Sequence, residues 1–181
     1  MLLEMRFSNF FSIKDEVCID FKAGNINTAG AKELSDNIFS FNDETLIKVQ
    51  GLFGPNASGK SSILKAAMFC RLLVLDSFQN NEGTIFNFMP FKFDGYFEKP
   101  STFYIDFITD GIEYEYSFSI TRNAILTEEL YYHPNKRKVK IFTRDESKGP
   151  SKTDVYSFGE GQFVKPLDVA QSTGKNTLFI S

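Results

Sequence analysis

The stretch Gly51-Leu52-Phe53-Gly54-Pro55-Asn56-Ala57-Ser58-Gly59-Lys60-Ser61-Ser62 decides how the rest of the chain is read. From Gly54 to Ser61 it satisfies G-x-x-x-x-G-K-[ST], the pattern of a loop that wraps a phosphate group. An apolar run, Leu46 to Phe53, precedes it and predicts a strand. Strong helix formers follow from Lys60 to Leu75, with no Gly or Pro until after Phe78. The chemistry explains the residue types. Gly54 and Gly59 allow backbone angles and close approach that a Cβ would block. Successive N–H groups make a concave anion nest, and the helix start adds its unpaired donors and positive dipole end. Gly54, Pro55, Asn56, Ala57, Ser58, Gly59, Lys60, Ser61 and Ser62 are therefore the candidate phosphate-binding residues. Lys60 reaches the β and γ phosphates, and the Ser61 hydroxyl ligates Mg²⁺. With Gly at about 7% of average usage, a chance match in a chain of this length has a probability near or below about 1%.

Working outward, Leu3, Met5 and Phe7 alternate with polar residues, and Val17, Ile19 and Phe21 do the same, which predicts a hairpin. Asp110-Gly111 separates two longer alternating runs, 103–107 and 112–120, and predicts a type I′ turn. Further strands are expected at Ile125 to Tyr132, Lys138 to Thr143 and Val155 to Phe158, with a turn at His133-Pro134-Asn135-Lys136. Segments 23–45, 79–101 and 145–154 are polar and rich in turn residues and are expected as loop insertions, the first with at most a short turn of structure. The 21 Phe and 7 Tyr favour sheet, because flat rings pack well on a pleated surface. The expected fold is one α/β domain over 1–181. A mixed sheet would surround the helix of the phosphate loop, with antiparallel hairpins as an outer layer.

The net charge of -3 and pI near 5.3 leave no global footprint for nucleic acid, so any DNA contact must be local or made elsewhere. The basic group Lys136, Arg137, Lys138 and Lys140 is the one candidate patch, though lysines on an exposed strand more often block edge pairing. Cys18 and Cys70 stand far apart and read as reduced thiols of a cytoplasmic protein, and no membrane segment or zinc pattern occurs. His133, the sole histidine, is expected at the surface. Asp76 ends a hydrophobic run but lies at the far end of the loop's helix, about 20 Å or more from the phosphates. Asp106 alternates outward on a strand. Ser157-Phe158-Gly159-Glu160-Gly161-Gln162 faintly matches an ABC signature loop but runs into Pro166, so a plain turn is favoured. No catalytic residue is identified in the chain. No Asn-Lys-x-Asp guanine-reading motif occurs, which favours ATP as the nucleotide.

The opening Met5-Arg6-Phe7-Ser8-Asn9-Phe10-Phe11-Ser12-Ile13-Lys14, taken with the Gly51–Ser62 loop, resembles the N-terminal lobe of ABC-type ATPases of the SMC, RecF and OLD kind. Within these it looks most like bacterial AAA-family ATP-binding proteins. The aromatic hairpins and the ending Asn176-Thr177-Leu178-Phe179-Ile180-Ser181 fit the same pattern. The resemblance implies that Asn9, Phe10, Phe11 and Ser12 border the adenine and ribose and that Asn56 lies near the γ-phosphate. It also implies a second lobe carrying the signature motif and the Walker B acids, which this sequence does not show. The chain would then be part of a longer protein or a split subunit, and two heads would dimerise around ATP to drive a DNA-related or phage-defence effector. The rivals are a P-loop kinase or phosphotransferase, whose lid arginines are not evident among five scattered arginines, and a non-hydrolysing nucleotide-dependent interaction module.

Overall fold

Alternation of apolar and polar side chains, carried through six segments, produces one seven-stranded sheet with a single long helix laid across it. The computed structural model describes residues 1–24, 30, 35–81, 83–160 and 164–181. In chain order the strands are β1 (Leu2–Ser8), β2 (Val17–Asp20), β3 (Ile38–Phe41), β4 (Glu44–Ile47), β5 (Ser101–Thr109), β6 (Ile112–Ile120), β7 (Ile125–Tyr132), β8 (Val139–Asp145) and β9 (Tyr156–Phe158). The helices are α1 (Lys60–Asp76), α2 (Lys152–Val155) and α3 (Leu167–Ser172). The sheet order is β2-β1-β5-β6-β7-β8-β9, with β3 and β4 as a separate pair. The predicted turn between β5 and β6 is present: Asp110 and Gly111 both take positive φ, 51° and 74°, and Thr109 pairs with Ile112.

Two expectations about the sheet are corrected. Every ladder among the described residues is antiparallel, so the sheet is not mixed. The apolar run Leu46 to Phe53 is not one strand: only Leu46 and Ile47 belong to β4, and residues 48–53 join no ladder. Segment 23–45 likewise holds more than a turn. It contains β3 and the start of β4, joined by a two-residue turn with Asn42 at φ 52°. Residues 25–29 and 31–34 of that segment lie outside the described residues. The β3–β4 pair is anchored by Leu46, which packs on Leu3 and Ile108. A bulge between Leu2 and Glu4 supplies the extra residue, Leu3, that makes this contact.

The main core lies between α1 and one face of the sheet. Ala66, Cys70 and Leu73 of α1 meet Met5, Phe7, Phe103, Tyr116 and Phe118. Phe103 and Phe118 stack at 4.9 Å between ring centres, and Phe10 stacks on Phe88 at 5.7 Å. Cys70 is buried, and burial raises its thiol well above the ordinary range, while Cys18 is exposed and both are unpaired. No helix among the described residues is long and apolar enough to cross a membrane.

At the β7–β8 end the core contains a buried charged pair. Glu128 and Arg144 are 0% and 1% exposed. The Glu128 carboxylate accepts from Tyr116 Oη at 2.9 Å and from the backbone N–H groups of Phe179 and Ile180, and lies 3.7 Å from Arg144 Nη1. Arg144 donates to the carbonyls of Thr177 at 2.7 Å and Gly174 at 3.0 Å and to Glu146. The pair thus fastens residues 174–180 to the sheet. Ser77, at the end of α1, receives the N–H of Leu178 on its hydroxyl, so the same segment also holds the helix.

The opposite face of the sheet is polar. Register places Asp20, Glu4, Asp106 and Glu115 side by side on β2, β1, β5 and β6. Like charges directly across strands repel. Burial, followed by Glu113, Glu115 and Glu4, raises the half-buried Asp106 carboxyl to about 7, and its Oδ1 has no hydrogen-bond partner among the described residues. His133, expected at the surface, is only partly exposed: its side chain is 15% exposed and sits 2.7 Å from Glu115, which also receives Lys138.

Candidate nucleotide-binding site

The loop from Gly54 to Gly59 follows segment 48–53, which joins no ladder, and feeds straight into α1. Gly59 caps the helix at φ 93°, a left-handed angle that favours glycine, and a Cβ there would come within 3.0 Å of Ile13 Cδ1. Gly54 lies close against Ser58: a Cβ would come within 2.8 Å of its Oγ, which could rotate aside, and no positive φ is involved. Ala57 also takes positive φ, 64°, which turns the chain around the loop's concavity. Among the described residues, no acceptor stands opposite the N–H groups of Asn56, Ala57, Gly59, Lys60 or Ser61, whereas Ser58 N–H donates to the Pro55 carbonyl and Ser62 N–H to the Gly59 carbonyl. These open donors at a helix start form a ready-made anion site. Lys60 Nζ folds back onto the loop, donating to the Gly54 and Pro55 carbonyls at 2.7 Å each. The Ser61 side chain is exposed.

A family described as "AAA domain, putative AbiEii toxin, Type IV TA system" matches residues 50–177, well over half of the chain. The chain belongs to this AAA-domain family. It is therefore a P-loop ATPase-family protein, and nucleotide binding by the loop follows from the family and from the motif together. No curated protein matches the chain.

The rest of this AAA-domain chain is arranged around the loop. The turn Asn9–Lys14 lies against the first turn of α1. Ser12 and Ser62 hydroxyls are 2.7 Å apart, and Lys65 Nζ lies 4.9 Å from the Phe11 ring centre. Of the four residues expected near the base, Asn9 and Phe10 are buried, and only Phe11 and Ser12 reach the surface. Asn9 uses its side chain to hold the 91–100 segment, donating to the Tyr96, Lys99 and Pro100 carbonyls and accepting from Phe91 N–H. Phe11, at φ 50°, donates its N–H to the Met89 carbonyl at 2.7 Å. Between them lies an open groove of about 410 Å³, with Phe11, Ser12 and Ser62 on one side and Met89, Phe91 and Phe93 on the other. Sequence reasoning missed the 89–93 side of this groove, because nothing in Met89-Pro90-Phe91-Lys92-Phe93 distinguishes it from any aromatic loop.

The remaining candidates stand elsewhere. Asp76 is exposed at the far end of α1, and Asp106 faces away from α1 on the acidic row. Ser157 and Phe158 end the edge strand β9 and do not open a helix, and Ser157 Oγ accepts from Lys140. Residues 161–163 of that stretch lie outside the described residues. In the basic group, Lys136 pairs with Asp43 and Lys138 with Glu115.

A second apolar surface borders the loop. Leu64, Met68, Leu72, Leu75 and Phe78 recur at helical spacing on the side of α1 turned away from the sheet, and all are exposed, Leu64 by 65%. In the segment before the loop Val49 is 72% and Phe53 95% exposed, and the backbone of residues 49–53 makes no hydrogen bond among the described residues.

Proposed function

We propose that this chain is the N-terminal lobe of an ABC-type ATPase head of the SMC, RecF and OLD kind, which binds Mg-ATP on Gly54–Ser62 and turns it over only with a second lobe. The open N–H groups of the loop, beside Lys60 and Ser61, carry the reading. On binding, the triphosphate displaces the carbonyls that Lys60 now contacts, and the ammonium moves onto the β and γ oxygens. Asn56 and Ala57 offer N–H groups from the loop, while Gly59, Lys60 and Ser61 offer theirs from the helix start. The Ser61 hydroxyl would be the hard oxygen donor that holds Mg²⁺. When bound, Mg²⁺ neutralises charge on the transferring phosphoryl group.

Two features favour a lobe over a stand-alone kinase. Helix α1 is apolar on both sides yet covered on one, and a strand-length apolar segment precedes the loop without a sheet to join. The backbone of residues 49–53 is exposed and without hydrogen bonds among the described residues, so a second sheet packed on this side would have a strand to take up there. No carboxylate takes part in the loop's hydrogen bonds among the described residues, so the group that orients the attacking water would come from that lobe. In the complete molecule two heads would close around ATP and switch an effector in DNA metabolism or phage defence. The family's description, which names a toxin of a type IV system, is in keeping with such a switched effector.

Calorimetry with Mg-ATP tests the site. Lys60→Ala should weaken binding at least tenfold, about 1.4 kcal/mol. Equal affinity in both proteins would overturn the phosphate assignment, and steady turnover by the isolated chain at about 1 s⁻¹ or faster, within the ordinary enzyme range, would overturn the two-lobe reading.

A further inference from the structure

We propose that the cavity between the β6–β7 turn, the 85–90 segment and residues 97–99 binds a small carboxylate that carries an apolar group, with Arg122 as its anchor. The cavity shares no lining residue with the Phe11 groove and none with Gly54–Ser62, so it is a second site and does not depend on the nucleotide reading.

The anchor is a charge that the fold itself does not use. Arg6 pairs with Glu4, and Arg144 with Glu128 and Glu146. Arg122 is also partly buried, yet among the described residues its guanidinium makes no ion pair or hydrogen bond, and its Nε is shut off from solvent. Holding such a group away from water without a partner costs stability. The turn that presents it is tied down. The Arg122 carbonyl accepts from Phe86 N–H at 2.8 Å, Thr121 N–H donates to the Ala124 carbonyl at 2.8 Å, and Thr121 Oγ1 accepts from the N–H groups of Asn123 and Ala124. The facing wall is fixed as well, because Asn9 donates to the Lys99 carbonyl at 2.8 Å. A guanidinium held in this way, with its two Nη groups still accessible, is matched by the two oxygens of one carboxylate.

The lining sets the class of ligand. Arg122 and Lys99 bring two positive charges and Glu98 one negative, which leaves a single positive charge for the ligand to balance. One carboxylate does so, whereas a doubly charged phosphate exceeds it. Lys99 Nζ rests 4.0 Å from the Tyr96 ring centre, and the exposed Glu98 forms no ion pair with Arg122 among the described residues. The remaining wall is apolar: Pro90 is buried, while Ile85 is 57% and Phe97 39% exposed. An apolar group attached to the carboxylate would cover both exposed side chains and remove them from water. The volume, about 210 Å³, suits a molecule smaller than the drug-sized ligands that fill pockets of about 300–1,000 Å³.

The test adds benzoate, acetate or inorganic phosphate to wild type, Arg122→Met and Lys60→Ala, following the Arg122 Nε–H resonance by NMR and the affinity by calorimetry. The resonance is the arginine Nε–H signal that Arg122→Met lacks. Benzoate should shift it saturably, with a dissociation constant at or below about 1 mM, equally in wild type and Lys60→Ala. Acetate, which has no apolar body, should bind about tenfold more weakly. Arg122→Met should lose benzoate affinity by about tenfold or more and yet melt without ligand at or above wild type, since it deletes an unpaired donor. No saturable shift in folded wild type, or equal benzoate affinity in Arg122→Met, overturns the site. A melt lowered by more than about 4 °C in Arg122→Met makes the arginine structural and overturns its role as a ligand anchor. Phosphate bound at this resonance ahead of benzoate overturns the carboxylate assignment. A benzoate shift lost in Lys60→Ala places the anion on the phosphate loop and overturns this second site while leaving the nucleotide reading intact.

Discussion

Replacing Arg144 with methionine keeps most of the side chain's length while removing its charge and every donor it carries. Arg144 is buried, and three of its bonds have no substitute nearby: to the Thr177 carbonyl, the Gly174 carbonyl and Glu146. Glu128, 3.7 Å away, would lose the one cation that pairs with it among the described residues while remaining at 0% exposure. Removing one member of a buried ion pair costs about 3–5 kcal/mol, chiefly because the other charge is left uncompensated. Glu128 keeps Tyr116 and the N–H groups of Phe179 and Ile180, which places the expected loss near the lower end of that range. With a urea slope of about 2 kcal/mol/M, the midpoint should fall by roughly 1.5 M. Arg144→Lys, which keeps the charge but not the planar fork, should fall in between. The loss should also be local in its first expression. Hydrogen exchange at Phe179 and Ile180 should rise before exchange in β5 and β6. An Arg144→Met midpoint within 0.3 M of wild type (about 0.6 kcal/mol) would refute the view that this pair fastens the 174–180 segment. Equal losses for methionine and lysine would refute the part assigned to the charge.

Two further outcomes are expected. Asp106 has a folded pKa raised from 3.8 to about 7, so the native state holds its proton more tightly than the unfolded chain, and stability falls as pH rises across that window. Asp106→Asn should therefore match wild type near pH 4 and exceed it at pH 8. The gain should be about 1 kcal/mol once solvent screening of a half-buried group is allowed for, and a pH-independent difference would contradict it. On α1, Leu73→Ala should lose about 2–4 kcal/mol by opening the core. Leu75→Gln, two residues on and half exposed, should change the urea midpoint by no more than about 0.5 kcal/mol equivalent.

What the sequence made legible follows from how local each signal is. The β5–β6 turn needs two adjacent residues at positive φ, which Asp110-Gly111 announces. The end of β7 at Tyr132 follows from the turn residues His133-Pro134 that come directly after it. The phosphate loop is spelled out in eight consecutive residues. Signals that depend on distant partners failed. Leu46 to Phe53 has the composition of a strand, but a strand needs a neighbour, and among the described residues only Leu46 and Ile47 have one. Glu128 reads as one of two adjacent glutamates. Nothing local shows that the first, and not Glu129, shares the core-facing row with Leu130 and Tyr132 and meets Arg144. A period-two alignment with Phe142 was the one available hint for Arg144. At the site, the Phe11 turn was reached by resemblance, while the opposite wall of the groove came only from the Asn9 hydrogen bonds that bring residues 91–100 across.

The burial of Cys70 against the sheet has a practical consequence. With Cys18 replaced by serine, the molecule would hold one thiol, closed in the middle of the very helix whose first turn begins the phosphate cradle. A thiol reagent could reach it only when α1 lifts from Phe103 and Phe118, so the speed of labelling would count those openings. Nucleotide bound at one end of the helix would slow the count by favouring the closed form, giving the protein a clock that starts at its core.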